Sequence, residues 1–487
     1  MLKAATPMGM GLINDSTAYI AGARSLLQGT GYSEIWLATG IEPIIHYPPL
    51  LSAILALIGL SGIDPLRGSR VLNILLYGSN IWLMGILGWK MTGARIAGLF
   101  LALYFALDGV LLNIHAYAIS EPLFIFFLIA CIILLSLHIE KQAIKWVALA
   151  GLATGMALLT RYVGLALLAT AALVLVVLQT DWRKRFISLG VFLACALPWF
   201  FAWVFRNHLL TGMATNRGFR WKPLAEKNID LGINNFTDWL FPFQTAIIKE
   251  PIPALLLSLI AIILVCWVGY FGLRYFLKPT STEQPNPFIF FSAAFIFVYA
   301  SSLIVSLSFF DGTTRLIDRI LSPIYVTFAI LIVAVVTWFW KRCQAKTRIV
   351  LGGIVCFLLI LSGNNYYQTV EKLTQDGQGY ASARYQNGAI SHFLRELPTD
   401  VRIYTNSPPA VYSSTERPSY ILFLDADFTR ETKKFYSEVK GDVERGDAIL
   451  VLYGLRKEEI NPEAYDFLIG GLNLNIKNGT DMIYDSP

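Results

Sequence analysis

Charge is what this sequence has least of. Of its 487 residues only 15% are Asp, Glu, Lys or Arg, while 55% are hydrophobic and the mean hydropathy is +0.56. Soluble domains carry about 25% charged residues. A wholly soluble protein is therefore excluded, and a polytopic membrane protein with some soluble mass is expected. Cysteine is also sparse. The five, Cys131, Cys195, Cys266, Cys343 and Cys356, all lie within or at the ends of apolar runs. They offer no disulfide framework and no CxxC metal site, and read as small packed hydrophobes. No Gly-rich phosphate loop follows any predicted strand, so a nucleotide site is not expected. No internal repeat and no signal peptide is visible, and residues 1–14 are too short and broken to span a bilayer, which takes about 20 apolar residues. The net charge of +6 sits mainly in short loops. It reads as membrane orientation rather than nucleic-acid binding.

What the chain does have is long apolar runs. Spans are expected at 69–90, 96–113, 122–139, 146–160, 163–180, 187–205, 252–277, 288–309, 320–340 and 349–363, ten in all, with a long polar loop from Arg206 to Glu250. The run 47–62 is short for a span and reads as re-entrant or interfacial. Lys90/Arg95, Lys141/Lys145, Arg183/Lys184/Arg185, Lys278 and Lys341/Arg342/Lys346/Arg348 occupy one set of connections, which the positive-inside rule makes cytoplasmic. The opening stretch 1–68, the break before Glu121, the turn at Arg161, the loop 206–250, the connection Asp311–Arg319 and the tail then face outward. That alternation holds only if 47–62 does not cross. The tail, 377–487, alternates helical and strand patterns, which argues a small α/β sandwich with a largely parallel sheet.

The candidate chemistry lies on the outward side. Asp15 precedes a helix that Gly29 and Gly31 should end, and either it or Asn14 is a good N-cap; a carboxylate so placed could equally act as general base or bind a metal. Glu121 opens a membrane helix in Ser120-Glu121-Pro122. There a first-turn acid suits the helix dipole, while a carboxylate at a span end is also a functional candidate. Arg161 interrupts two apolar runs and either snorkels to the interface or binds an anion. Arg315 and Arg319 are placed to bind a phosphate; pairing with Asp311 and Asp318 is the rival reading. Arg217, Arg220 and Lys222 add positive charge outside. Glu42 and His46, with Glu34 earlier, could hold a divalent ion, though two or three ligand types in one loop are a weak signal.

These elements occur in an ordered set: Asp15-x3-Tyr19, Arg24-Ser-Leu-Leu-x-Gly29-x-Gly31-Tyr32, Tyr47-Pro48-Pro49-Leu50, Arg70-Val-Leu-Asn73, Ser120-Glu121-Pro122, Gly155-x4-Thr160-Arg161-Tyr162 and Arg319-x3-Pro323. Over about 10–340 the set resembles the type C (GT-C) membrane glycosyltransferases, which include the protein O-mannosyltransferases and the lipid A aminoarabinose transferase. The tail, with Tyr412-x3-Glu416-Arg417-Pro418, is similar to outer domains of bacterial members. The resemblance implies a mainly α polytopic core of about ten spans (69–363), an outer segment 1–68 carrying the catalytic acid, and an α/β domain at 377–487. It also implies one membrane helix ahead of the Asp15 loop, which this sequence does not carry.

In function, the resemblance implies a glycosyltransferase that moves a sugar from a polyprenyl-phosphate donor to an acceptor hydroxyl on a lipid, glycan or protein. The anomeric carbon is inverted at a site facing outward from a bacterial inner membrane. Asp15 is then the catalytic carboxylate and Glu121 its companion beside the donor phosphate. Arg161, Arg315, Arg319, Arg217 and Arg220 would hold that phosphate, with Tyr19, Arg24 and Tyr47 positioning the acceptor. The only cofactor with candidate ligands is a divalent metal ion at Glu42 and His46. Two other classes stay open. A lipid-linked sugar flippase or transporter would show inverted repeats and Gly/Pro-broken mid-membrane helices; a non-catalytic scaffold for the α/β domain would not need Asp15, Glu121 or Arg319.

Overall fold

The computed structural model describes residues 1–215, 218–240, 252–278, 284–312, 314–424, 428–454 and 461–487. The outer segment holds α1 (Leu2–Ala5), α2 (Asn14–Leu27), the paired strands β1 (Ser33–Glu34) and β2 (Glu42–Pro43), and α3 (Leu50–Gly59). Gly29 and Gly31, at φ of +77° and +80°, turn the chain out of α2 as expected. With ten residues α3 is about 15 Å long, half the roughly 30 Å of a bilayer core, so it does not cross.

The membrane part runs α4 (Pro65–Thr92), α5 (Arg95–Leu107), α6 (Gly109–His115), α7 (Glu121–Lys141), α8 (Ile144–Thr160), α9 (Gly164–Leu178), α10 (Trp182–Thr211), α11 (Glu226–Leu240), α12 (Ile252–Leu277), α13 (Pro287–Phe309), α14 (Asp318–Arg342) and α15 (Ala345–Asp376). Its helix starts are written locally. Asp64 accepts from the Leu66 amide at 2.9 Å with Pro65 behind it, and Asn286 accepts from Phe288 at 3.1 Å with Pro287 behind it. Among the described residues seven helices are long and apolar enough to cross a membrane, and α5 with α6 would make an eighth. The chain is a multi-pass membrane protein.

The expectation of ten full spans needs three corrections. The run 96–113 is broken by a 63° bend, because Asp108 ends α5 and accepts the Leu111 amide at 2.8 Å to start α6. The α8 and α9 helices have 17 and 15 residues, about 25 and 22 Å. Their shared turn carries Arg161, which is held inside the protein, so the turn need not reach the membrane surface. The last run extends well past 363, to Asp376, and delivers the chain to the C-terminal domain, which lies at the helix ends opposite the basic connections and is called the outer domain for that placement alone. The polar stretch 206–250 is not all loop either. Helix α10 continues to Thr211, and α11 packs against α14, with the Trp239 ring stacked on Tyr325 at 4.5 Å.

The outer domain consists of α16 (Ala383–Gln386), α17 (Ala389–Glu396), β3 (Arg402–Thr405), α18 (Pro408–Thr415), β4 (Tyr420–Ile421), α19 (Arg430–Glu444), β5 (Ala448–Leu452), α20 (Pro462–Ile469), β6 (Asn473–Asn478) and β7 (Asp481–Asp485). Its sheet has the order β4-β3-β5-β7-β6. Helices α17 and α18 cover one face through Ile390, Leu394, Ala410 and Val411; α19 and α20 cover the other through Tyr436, Val439, Val443, Ala464 and Leu468. Strand β5 is buried along its whole length, as a continuous apolar run between two helical layers should be. Parallel pairing covers β4, β3 and β5, but β7 and β6 pair antiparallel. The sheet is thus less parallel than the strand-helix alternation suggests, because the last two strands form a hairpin with no intervening helix.

Candidate active site

Neither Asn14 nor Asp15 caps α2. Ile13 is the N-cap residue, and the Ser16 hydroxyl accepts its amide at 3.1 Å. Asp15 is therefore the second residue of the helix. It sits in the favourable field of the N-terminus, and its side chain is free for other partners. The Tyr47 hydroxyl donates to Oδ1 at 2.8 Å, and Arg319 Nη1 donates to Oδ2 at 2.6 Å.

Arg319 comes from the first turn of α14. Pro323, four residues on, has no amide to give the Arg319 carbonyl, and the Ser322 hydroxyl takes that carbonyl at 2.8 Å instead. The Tyr299 hydroxyl of α13 donates to the neighbouring Ile320 carbonyl at 2.8 Å. This start of α14 is thereby tied down. Arg319 does not pair with Asp318, whose carboxylate accepts from Tyr325 at 2.8 Å.

The second carboxylate is Glu121, whose side chain is 1% exposed. Its Oε1 lies 2.6 Å from Arg161 Nη1 and 3.8 Å from Arg319 Nη1. The contact is ionic and off the hydrogen-bonding direction, and Oε2 is buried without a hydrogen-bond partner. Arg161, at the end of α8, also donates to the Ser120 hydroxyl at 3.1 Å, to which the buried Tyr19 donates at 3.1 Å. Arg161 is thus not a snorkelling surface residue but half of an enclosed ion pair. Four charges alternate in this cluster, Asp15, Arg319, Glu121 and Arg161, and they sum to zero. They come from α2, α7, α14 and the end of α8, at the helix ends opposite the basic connections.

Burial works to raise the Asp15 pKa. The Arg319 charge outweighs it, together with hydrogen bonds from Arg319 and Tyr47 and the more distant Arg161, so the carboxyl is held below its ordinary value. Tyr47 is pushed up, first by burial and then by Asp15; for Tyr19 burial again leads. At rest, Asp15 is ionised and fully occupied.

The other expected residues lie elsewhere. Arg315 and Arg220 are exposed. The extended segment of Arg220 and Lys222 pairs through its backbone with Phe309 and Ser308, at 2.9 and 2.7 Å, on the surface beside the α13–α14 connection. Arg217 lies outside the described residues. Arg24 is not in the charge cluster; it binds Asp64, Tyr412 and Glu416. Glu42 pairs across the hairpin with Glu34, and His46 Nδ1 is 3.5 Å from Glu34 Oε1. Burial, and then the Glu42 charge, push the Glu34 carboxyl up to about 7. Among the described residues no group of three or more His, Cys, Asp or Glu is placed to hold a metal ion.

Sequence reasoning passed over Arg206. It donates to the carbonyls of Ile44 at 2.7 Å and Tyr32 at 3.1 Å while its guanidinium lies 5.1 Å from the Trp203 ring, so it clamps the hairpin of the first loop. An Arg three residues after a Trp at the outer end of a span was the available signal. The partnership of Arg24 with Tyr412 and Glu416 had none, since 388 and 392 residues separate them.

Residues 59–208 match the family of dolichyl-phosphate-mannose-protein mannosyltransferases. No curated protein matches the sequence. Among solved structures, ArnT from Cupriavidus metallidurans in its apo state superposes with a TM-score of 0.53 over 99% of this chain and 95% of that one, at 15% identity. The same protein bound to undecaprenyl phosphate gives 0.52 over the same shares. AglB, the oligosaccharyltransferase of Archaeoglobus fulgidus, in complex with an inhibitory peptide and a dolichol-phosphate, gives 0.53 at 11% identity, covering 98% of this chain and 71% of AglB. The membrane core and the outer domain together share this fold.

Proposed function

We infer that this chain, which has the fold of the type C membrane glycosyltransferases, moves a sugar from a polyprenyl-phosphate donor to an acceptor hydroxyl. The observation that carries this reading is the Asp15–Arg319–Glu121–Arg161 cluster at the outer helix ends. It joins one carboxylate that can receive a proton to two guanidiniums that can receive a phosphate.

Polyprenyl phosphate is a good leaving group. The site must chiefly stabilise the charge that collects on its oxygens as the glycosidic bond breaks, and preorganised guanidiniums in a partly dry site do so well. Asp15 is in the wrong state for a base while Arg319 and Tyr47 hold it. An arriving phosphate competes for Arg319. As that guanidinium turns to the phosphate, Asp15 loses the partner that lowers its pKa, and burial then makes it a better proton acceptor. Donor binding thereby readies the base. Asp15 takes the acceptor proton, the acceptor oxygen attacks the anomeric carbon from the face opposite the phosphate, and configuration inverts. Glu121 keeps Arg161 charged and oriented throughout.

The proposal extends to a bacterial inner membrane with the site and the outer domain on the periplasmic or extracellular face. It is supported by the basic residues at the opposite helix ends. The acceptor is a lipid, glycan or protein hydroxyl. Any divalent ion is assigned to Glu42 and His46, which would supply two protein ligands; Mn²⁺ binding that survives Glu42→Gln with His46→Ala refutes that assignment.

The test is release of polyprenyl phosphate from a panel of radiolabelled polyprenyl-phosphate sugars, in membranes holding wild type or Asp15→Asn. Release that the mutant loses supports the reading. A folded Asp15→Asn protein with the full rate overturns it.

A further inference from the structure

Helix α2 is held along one stripe and works along another. Residues three and four apart share a face of a helix, and Asn14, Thr17, Ala21 and Arg24 make such a stripe. Three of the four bond to the outer domain, and Ala21 shares a buried cluster with one of its side chains. The Tyr380 hydroxyl donates to Asn14 Oδ1 at 2.5 Å; the Thr17 hydroxyl lies 2.9 Å from that of Ser413; the Tyr412 ring is buried in one cluster with Ala18 and Ala21; and Arg24 reaches Tyr412 at 3.4 Å and Glu416 at 2.7 Å. Asp15 and Tyr19, four residues apart, lie on the other stripe and face the membrane helices.

The grip continues at both ends of α2. Ahead of it, the Tyr380 amide donates to the Leu12 carbonyl at 2.8 Å. The approach there is close enough that a Cβ on Gly379, at φ +54°, would sit 2.0 Å from that carbonyl oxygen. Beyond it, Ser419 pairs with Trp36 and Ala38, at 3.2 and 3.0 Å. The residues that make these contacts, 378–419, are the first third of the outer domain.

We propose that Tyr412 of the outer domain is a positioning residue of the active site: packed in one cluster with Ala18 and Ala21, it sets the rotation of α2 and so the placement of Asp15 against Arg319. This rests on Asp15 being the base, as argued above. Tyr412 touches no reacting atom and acts only through α2. The ring does most of this, because its hydroxyl contact with Arg24 is long and the Arg24–Glu416 pair is two-thirds exposed at its acid end, where ion pairs contribute little.

Two measurements on the full chain in membranes test the proposal, with Tyr412→Ala, Tyr412→Phe and, should Tyr412→Ala fail to fold, Thr17→Val with Ser413→Ala. The first is amide hydrogen exchange in residues 14–27, which needs no donor. Tyr412→Ala should speed it while exchange in α7 and α14 stays as in wild type; wild-type exchange in α2 overturns the proposal whatever the donor is. The second is turnover. Displacements near 1 Å can cost about 100-fold in rate, so kcat should fall at least about 10-fold. The donor KM should hold, because Arg161 and Arg319 stand on membrane helices. The acid limb of the pH profile should move to higher pH as Asp15 parts from Arg319. Tyr412→Phe should keep most of the activity. A raised donor KM with unchanged kcat, or a Phe variant as impaired as Ala, overturns the positioning role. Absence of release by the wild type from every donor would sink the transferase reading and leave the exchange result to decide this one.

Discussion

Arg319→Gln is the perturbation that probes the site most directly. Arg319 Nη1 is 2.6 Å from Asp15 and 3.8 Å from Glu121, so its loss leaves two carboxylates facing Arg161 alone and changes the cluster charge from zero to −1. Truncating one partner of a buried, hydrogen-bonded pair costs about 2–5 kcal/mol. Arg319 and Asp15 remain about a quarter exposed, which favours the lower end, about 2–3 kcal/mol. If the same guanidinium receives the donor phosphate, kcat/KM falls by at least about 30-fold. The pH dependence gives a second, signed readout. In wild type the Asp15 pKa is depressed below 3.8, so its stabilising contribution is present above that ordinary value and is lost as pH falls through the depressed one. Without Arg319 the largest lowering influence is gone and burial dominates. The acid limb of kcat/KM then moves to higher pH. The assay is polyprenyl phosphate release across pH 4–9, with folding checked by thermal melts. A loss within about threefold of wild type together with an unmoved acid limb would refute the reasoning.

Four further outcomes are expected. Arg161→Met leaves the buried Glu121 with only the more distant Arg319, at 3.8 Å, and should destabilise by about 3 kcal/mol, the lower end for a broken buried pair, whereas Arg161→Met with Glu121→Gln should recover most of that; equal melting losses in the two would contradict the ion pair. Glu34→Gln should raise stability at pH 8 but not below pH 4.5. The Glu34 pKa is lifted from 4.5 to about 7, so the benefit of its neutral form is complete below the ordinary value and is lost as pH rises through 7; Glu42 and His46 face the same carboxyl, and a flat difference between the two melting profiles would count against the shift. Tyr47→Phe removes one donor from Asp15 and should lower kcat more than the donor KM, read by steady-state release. Ser322→Ala leaves the Arg319 carbonyl without its hydroxyl partner and should cost about 1 kcal/mol in a thermal melt; no change would show that Pro323 needs no such compensation.

Much of the site could be read from one dimension because membrane chemistry is local. An Asp opening a polar helix, a Glu opening a span and an Arg four residues before Pro323 stand out against apolar surroundings, where charge is costly. The same contrast located the apolar runs, the non-crossing α3 and the basic connections. Helix ends were less legible. Asp is a good cap and Asp15 reads as a possible one, yet the N-cap is Ile13, whose amide the Ser16 hydroxyl accepts, and Asp15 is left for Tyr47 and Arg319. Arg161 was open between snorkelling and binding, since nothing in LLTRYVGL says whether the turn reaches the surface. The bend at Asp108 was missed for a similar reason: one carboxylate in a long apolar run can be a buried cap as readily as a span end.

By itself, then, the sequence determined where the apolar runs lie, on which connections the basic residues collect and which few charged residues stand at the opposite helix ends, because hydropathy and charge placement are properties of short stretches. Only the tertiary structure decided who meets whom. Asp15 with Arg319, Glu121 with Arg161 and Arg24 with Tyr412 and Glu416 are separated by about 40 to 390 residues, and each pairing depends on how helices pack across the bundle. Arginine binds any carboxylate within reach, so its partner is chosen by packing and not by spacing along the chain.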